Sequence, residues 1–196
     1  MPFIRRHSPL SVPTILLGGP NRAGNVFDST IIDNSAVLQV GDVVAVTTEG
    51  SGNGVVVRRY NGAGDKILGI CVGFGQANGK SVTFDSGVTP NRVTVDSDNE
   101  TDSSKQIFAK IDITPNAVWS APFSPSATIH TTAAFQYGAQ VECGTGANAG
   151  GLTETTVSRT VSAHLGFACL GPDEQDTSRG LVMVIEGLFR GEQTAS

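Results

Sequence analysis

The stretch that most invites a chemical reading is Gly73-Phe-Gly-Gln-Ala-Asn-Gly79-Lys80-Ser81, which ends in the Gly-Lys-Ser of a phosphate-binding loop. Such a loop needs a glycine, four residues, then Gly-Lys-Ser/Thr, so that successive backbone N–H groups cradle phosphate oxygens while the lysine reaches over them. The register fails here, because the required position is Phe74 and the nearest glycines, Gly73 and Gly75, sit one residue to either side. A helix must also come directly after the Lys-Ser, since its N-terminal dipole helps hold the anion. The chain instead continues as Ser81-Val-Thr-Phe-Asp85, which alternates polar and apolar side chains as a strand does. Asn78-Gly79 between alternating runs therefore predicts a hairpin turn joining two strands.

A second candidate is Asp96-Ser-Asp98-Asn-Glu100-Thr-Asp102, four carboxylates at alternating positions. Oxygen-rich loops of this kind hold calcium, but the EF-hand pattern wants glycine at its sixth position and glutamate at its twelfth, where this chain has Thr101 and Ile107. A solvated acidic turn between strands is the expected reading, with a cation site as its alternative. His7, His130 and His164 show no His-x-His or His-x-x-x-His spacing. His164 and Cys169 are separated by an odd number of positions, which in a strand sends them to opposite faces. There is no Gly-x-Ser-x-Gly elbow, and Gly144-Thr-Gly-Ala-Asn-Ala-Gly-Gly151 misses the dinucleotide spacing. The expectation is a non-enzyme without cofactor or metal.

The elements that would carry these residues are strands. The chain has 196 residues, 24 of them glycine and 9 proline, with 16% charged residues, a balance that favours many short strands and tight turns over long solvated helices. A mean hydropathy of +0.00 with 39% hydrophobic residues fits a folded chain with one core. The net charge of −5 repels polyanions, which speaks against a general DNA or RNA binder. Arg5-Arg6 and Arg58-Arg59 are the paired basic residues, read as solvated surface charge or as contacts to an acidic protein surface. Cys71, Cys143 and Cys169 form neither a Cys-x-x-Cys pair nor an even set, which speaks against a disulfide framework or a zinc site; Cys71 and Cys169, in apolar strand-like runs, are expected to act as small hydrophobes, and the chain to be made in a reducing compartment. No apolar run approaches a bilayer span or a signal-peptide core, and the expectation is a protein made in a cytosol without membrane association.

Regular alternation begins at Ser35. Strands are expected at Val43–Thr48, Val55–Tyr60, Lys66–Gly75, Arg92–Val95, Gln106–Ile113, Val161–Leu170 and Gly180–Phe189, with turns at Gly50–Gly54 and Asn61-Gly62. In the third of these, Leu68, Ile70, Val72 and Phe74 share one face, while Gly69, Cys71 and Gly73 leave the other open to close approach by a second backbone. In Gln106–Ile113, Ile107, Ala109, Ile111 and Ile113 face inward and Lys110 and Asp112 face water. The run from Leu181 to Phe189 is apolar on both faces and is expected to be central and covered on both sides. A short helix is a possibility over Ala127–Phe135. The whole reads as an all-β domain, residues 31–196, a compact barrel or sandwich of short antiparallel strands.

Residues 1–30 differ. Prolines at 2, 9, 13 and 20 exclude a helix or a central strand and leave an extended N-terminal arm. The arm carries Phe3, Ile4, Ile15, Leu16 and Leu17, with Arg5 and Arg6 between. Apolar side chains on an extended segment need a surface to lie on, either the arm's own domain or a neighbouring subunit. These residues, with Trp119 and Phe123, are the candidate partner contacts, because aromatics dominate interface hot spots. Burial in the core is the competing expectation for the two aromatics.

The order Val40-Gly-Asp-Val-Val44, a Gly-rich turn, Val55 to Tyr60, then Ile67-Leu-Gly-Ile-Cys-Val-Gly-Phe74 resembles the small head-decoration, or capsid cement, proteins of tailed bacteriophages. Val93-Thr-Val-Asp96, Gln106-Ile-Phe-Ala109 and Pro115-Asn-Ala-Val-Trp119 extend the likeness, which covers residues 36–125. The resemblance implies a virion structural protein on the capsid exterior, made in the host bacterial cytoplasm. Its partner would be the major capsid protein, across whose subunit boundaries it adds contacts, and it would assemble as a homo-oligomer, with a trimer favoured. It supplies no catalytic residues. Other virion β proteins of the tail tube, head–tail joint or fibre base share this composition. A carbohydrate-binding module would share the architecture, but 6% aromatics with one tryptophan offers few platforms for sugar stacking.

Overall fold

The computed structural model describes residues 4–7, 26–47, 55–60, 66–88, 91–114, 117–122, 140–141, 167–176 and 179–184. These form twelve strands. In chain order β1 is Ile4–His7, β2 Val26–Ile32, β3 Val37–Gln39, β4 Val43–Val46, β5 Val56–Arg59 and β6 Lys66–Gln76. The remainder are β7 Arg92–Thr94, β8 Ile107–Asp112, β9 Val118–Pro122, β10 Gln140–Val141, β11 Phe167–Pro172 and β12 Arg179–Val184. The described part is all-β, as the two-residue periodicity requires.

Five strands close a barrel in the order β2-β5-β4-β6-β8, with β8 returning to β2. The pairings are antiparallel except β2 with β5, which is parallel, Ile31 lying opposite Val56 and Ile32 opposite Val57. Closure removes free sheet edges from this unit. Ile32, Val44, Val57, Leu68, Cys71, Ala109 and Ile111 fill it, and the small β3–β7 sheet adds Leu38 and Val93 to the same core. Each valine, leucine or isoleucine among them contributes about 1.5–3 kcal/mol when fully buried. A second, five-stranded antiparallel sheet runs β1-β9-β12-β11-β10. The segment read as an arm therefore ends earlier than residue 30, since β2 enters the barrel at Val26.

Several local expectations need correction, each for a physical reason. The face assignment in β6 fails because the strand carries two irregularities. Val44 faces Gly69 and Ala45 faces Ile67, so Leu68 is extra; Cys71 faces Ile111 and Gly73 faces Lys110, so Val72 is extra. Each bulge shifts the alternation by one residue. Leu68 and Cys71 consequently share the core, and Val72 is exposed. The small-residue face does admit a close backbone at Gly69, where a Cβ would collide with the carbonyl of Asp112.

After β6 the chain makes a single 3-10 turn over Ala77–Gly79, with Gly79 at a φ of +68°. The expected turn is present, but Ser81–Asp85 does not form the second strand of a hairpin; the end of β6 that leads into the turn, Ile70–Gln76, pairs with β8 instead. Asp85 ties this segment to β7: its N–H donates to the Arg92 carbonyl at 2.9 Å, and its Oδ2 accepts from Arg92 Nε at 2.6 Å and from the Thr94 hydroxyl at 3.0 Å. Asp112, expected to face water, is buried; its carboxylate accepts from the Thr114 N–H at 2.8 Å and from the Thr114 hydroxyl. In β12, central between β9 and β11, Val182 is fully buried while Leu181 and Met183 are half-buried, and residues 185–189 lie outside the described residues. So do the turns at 50–54 and 61–62, the possible helix at 127–135, the loop at 144–151, and His130, His164 and Cys143.

Candidate functional site

Most of the buried polar residues among those described fall into three clusters. The first is the Gly-Asp turn before β4. Gly41 adopts a φ of +90°, a left-handed conformation in which a side chain is strained. This places the buried Asp42 carboxylate where Oδ2 accepts from the Gln39 N–H at 2.8 Å and from Arg59 Nε at 3.0 Å. Burial pushes the Asp42 carboxyl up and the Arg59 guanidinium opposes it. Arg59, read as solvated charge or as a protein contact, is thus one half of an ion pair inside the fold. Cys71 lies beside the same turn, its N–H donating to the Asp42 carbonyl at 2.9 Å. Burial raises the Cys71 thiol to about 12, with the Asp42 charge adding to the effect. A thiol in that state is a small hydrophobe and not a nucleophile.

The second cluster clamps the acidic loop. Asn99, only 3% exposed, donates from Nδ2 to the carbonyls of Ile32 at 2.7 Å and Ile107 at 3.2 Å, and its Oδ1 accepts from the Ile107 N–H at 2.7 Å. Glu100 and Asn34 bond reciprocally: the Glu100 N–H donates to Asn34 Oδ1 at 2.9 Å and the Asn34 N–H to Glu100 Oε1 at 3.2 Å. Gln106 Nε2 donates to the Glu100 carbonyl at 3.0 Å. The run Asp96–Asp102 is therefore not a simple solvated turn, because its centre is built into the barrel wall. Burial raises the Asp33 carboxyl, and Glu100 raises it further through a shared hydrogen bond and like charge. On the outer side, Ser104 donates to Asp102 and lowers that carboxyl to about 2, while Lys105 sits 3.1 Å from Asp102 and 3.7 Å from Asp98. No group of three metal-ligating side chains occurs among the described residues.

The third cluster pins the second sheet. Arg179, 1% exposed, donates from Nε to Ser120 Oγ at 2.9 Å and from Nη2 to the Ser120 carbonyl at 2.6 Å. Ser120 Oγ in turn donates to Asp173 Oδ2 at 2.5 Å. Asp173 Oδ1 accepts from the Gln175 N–H at 3.0 Å, and Asp173 and Arg179 close the turn between β11 and β12 through their backbones. Among the described residues, these three buried side chains tie β9 to β12 and to the turn after β11, and so fix the register of the sheet.

The candidate partner residues fall into three groups. Ile4, Arg5 and Arg6 lie in β1, an edge strand antiparallel to β9, with Ile4 opposite Ser120, Arg5 opposite Trp119 and His7 opposite Val118. Trp119 is 4% exposed, placed by β9 inside the fold, so it is not an exposed anchor. Phe3, Ile15, Leu16, Leu17 and Phe123 lie outside the described residues. Sequence reasoning gave no role to Phe84, which is 41% exposed and has its ring centroid 6.2 Å from that of Phe74. The alternation around Phe84 suggested a strand face, which concealed its exposure.

Compared with known proteins, the chain matches no family model, no curated protein and no solved structure.

Proposed function

We propose that this chain is a structural protein of a bacteriophage virion, a decoration or cement protein that binds the outside of the head and reinforces contacts between subunits of the major capsid protein. The observation that carries the reading is where the resemblance falls. Val43–Val46, Val56–Arg59 and Lys66–Gln76 are three adjacent strands of one closed barrel, and the Gly-Asp turn ahead of them is locked by the Asp42–Arg59 pair. The motif residues thus serve architecture, as a rigid building block requires. The N-terminal strand adds support, because a chain end that docks on a sheet edge by backbone hydrogen bonds is one of the recurring ways in which proteins hold neighbours. Many copies on one shell would hold firmly even where each contact is modest.

The test is co-sedimentation of the purified protein with undecorated heads, and then heating of the decorated and undecorated particles. Saturable binding and a higher disruption temperature are expected; heads that neither bind the protein nor gain resistance would overturn the reading. A variant lacking residues 1–25 tests the arm, and it must stop there because Val26 belongs to the barrel.

A further inference from the structure

We propose that β1 is an exchange strand, which in assemblies of this chain occupies the outer edge of β9 in a second copy. The slot and its occupant are both visible within one chain. β9 is fixed on its inner side by β12 over five register pairs, from Arg179 opposite Pro122 to Met183 opposite Val118, and the buried Arg179–Ser120–Asp173 cluster anchors that pairing. Its outer side is an edge that accepts a short antiparallel strand, and β1 fills it with three register pairs and an irregularity between Arg5 and His7. The occupant is held less firmly than the slot is built.

The chain length between the two units makes the exchange geometrically open. β1 ends at His7 and β2 begins at Val26 in the other sheet, so residues 8–25 connect them. Eighteen residues, fully extended, reach about 60 Å, against a diameter of about 40 Å for a compact domain of this length. Pro9, Pro13 and Pro20 bias such a connection towards extension. That lowers the effective concentration of β1 at its own slot while leaving a neighbour's slot within reach. Exchange preserves every β1–β9 hydrogen bond, so what it adds is the linkage between copies, and a head-to-tail exchange closes into a ring when the rotation permits. The inference concerns contacts between copies of this chain and does not depend on capsid binding.

The experiment uses the full chain without capsids. His7→Cys and Val118→Cys place thiols at facing positions across the seam, within disulfide reach for an antiparallel pair. Separate single variants, co-expressed and then oxidised, should give a mixed disulfide species of twice the 20.3 kDa chain mass, absent from either variant oxidised alone. The double variant in one chain should give cross-linked species of two or more chains. A double variant that locks as a cross-linked monomer, with no mixed dimer from the singles, overturns the proposal, and so does a pair that never forms a disulfide. Light scattering of the unaltered protein under reducing conditions, at its highest soluble concentration, provides a second readout that no introduced cysteine can disturb. It should report an oligomer that becomes a monomer when residues 1–7 are removed; an unaltered chain that is monomeric, or a truncated chain of unchanged mass, refutes strand exchange. Failure here with intact head binding would remove the exchange and leave the proposed function standing.

Discussion

Asn99 offers the sharpest test of the structural reading. Its side chain makes three hydrogen bonds from a buried position, two to the carbonyls of Ile32 and Ile107 and one from the Ile107 N–H, and so joins β2 to the start of β8. Asn99→Ala removes all three. At about 1 kcal/mol net for each bond the loss is about 3 kcal/mol, and the orphaned Ile107 N–H raises it towards about 4 kcal/mol. Against a total stability of roughly 5–15 kcal/mol for a domain, that is a large fraction. With a urea m-value of about 2 kcal/mol/M, the midpoint monitored by far-UV circular dichroism should fall by about 1.5–2 M at unchanged m. Asn99→Asp separates donor from acceptor. It keeps an acceptor for the Ile107 N–H but turns two donations into carboxylate oxygen facing carbonyl oxygen. At pH 7 it should therefore cost at least as much as alanine, and it should recover partly at a pH low enough to protonate the new carboxyl. An Asn99→Ala midpoint corresponding to less than about 1 kcal/mol would show that the acidic loop is not clamped in this way.

Other single contacts make equally specific predictions. Gly69→Ala puts a methyl group into the Asp112 carbonyl and should cost about 3 kcal/mol or prevent folding, whereas Gly73→Ala, whose nearest neighbour would be Lys110 Cδ at 3.7 Å, should shift the melting temperature little. Asp33 has a folded pKa above the ordinary carboxyl value of 3.8, so the stability it contributes is complete below pH 3.8 and is lost as pH rises through the folded value. Asp33→Asn should accordingly melt higher than the parent at pH 7, with the difference vanishing as pH falls below 3.8; an equal gain at both pH values would refute the carboxyl pair. With a thiol raised to about 12, Cys71 should have a thiolate fraction on the order of one in ten thousand at pH 8 and stay unlabelled by iodoacetamide in the folded protein when peptides are mapped by mass spectrometry.

What the sequence made legible was what depends on neighbours in the chain. Alternation located β4, β5, β6, β7 and β8, and the shortage of helix formers excluded a helical core. Gly69 could be read as a place of close approach because a missing side chain is itself a local signal. What stayed hidden depends on distance. Glu100 meets Asn34 across 66 positions, Ser120 meets Asp173 across 53 and Arg179 across 59, and no periodicity reports such partners. Glu100 looked solvated because an unpaired carboxylate would be. Asp112 looked exposed for the same reason, its satisfaction by Thr114 being a turn contact that alternation does not encode. The two bulges in β6 were invisible because a bulge is defined by its partner strand. As for the site, Ile4–His7 was legible as extended, but its docking edge on β9 was not, since that edge lies more than 100 residues away in the chain.

The seam between β2 and β8 also dictates an order of events during synthesis. Thr30 donates its hydroxyl to the Ala109 carbonyl at 2.8 Å across 79 positions, so the cylinder stays open until the ribosome has delivered β8. At roughly 5–20 residues per second, that interval lasts on the order of 4–16 s. The three-stranded unit β5-β4-β6 forms from neighbouring segments and meets little loop-closure entropy, while β2 waits with Ile31 and Ile32 unsheltered. Nascent chains crowded on one messenger would pass through that interval together, and it is then, before the last stave arrives, that this protein is most exposed to aggregation.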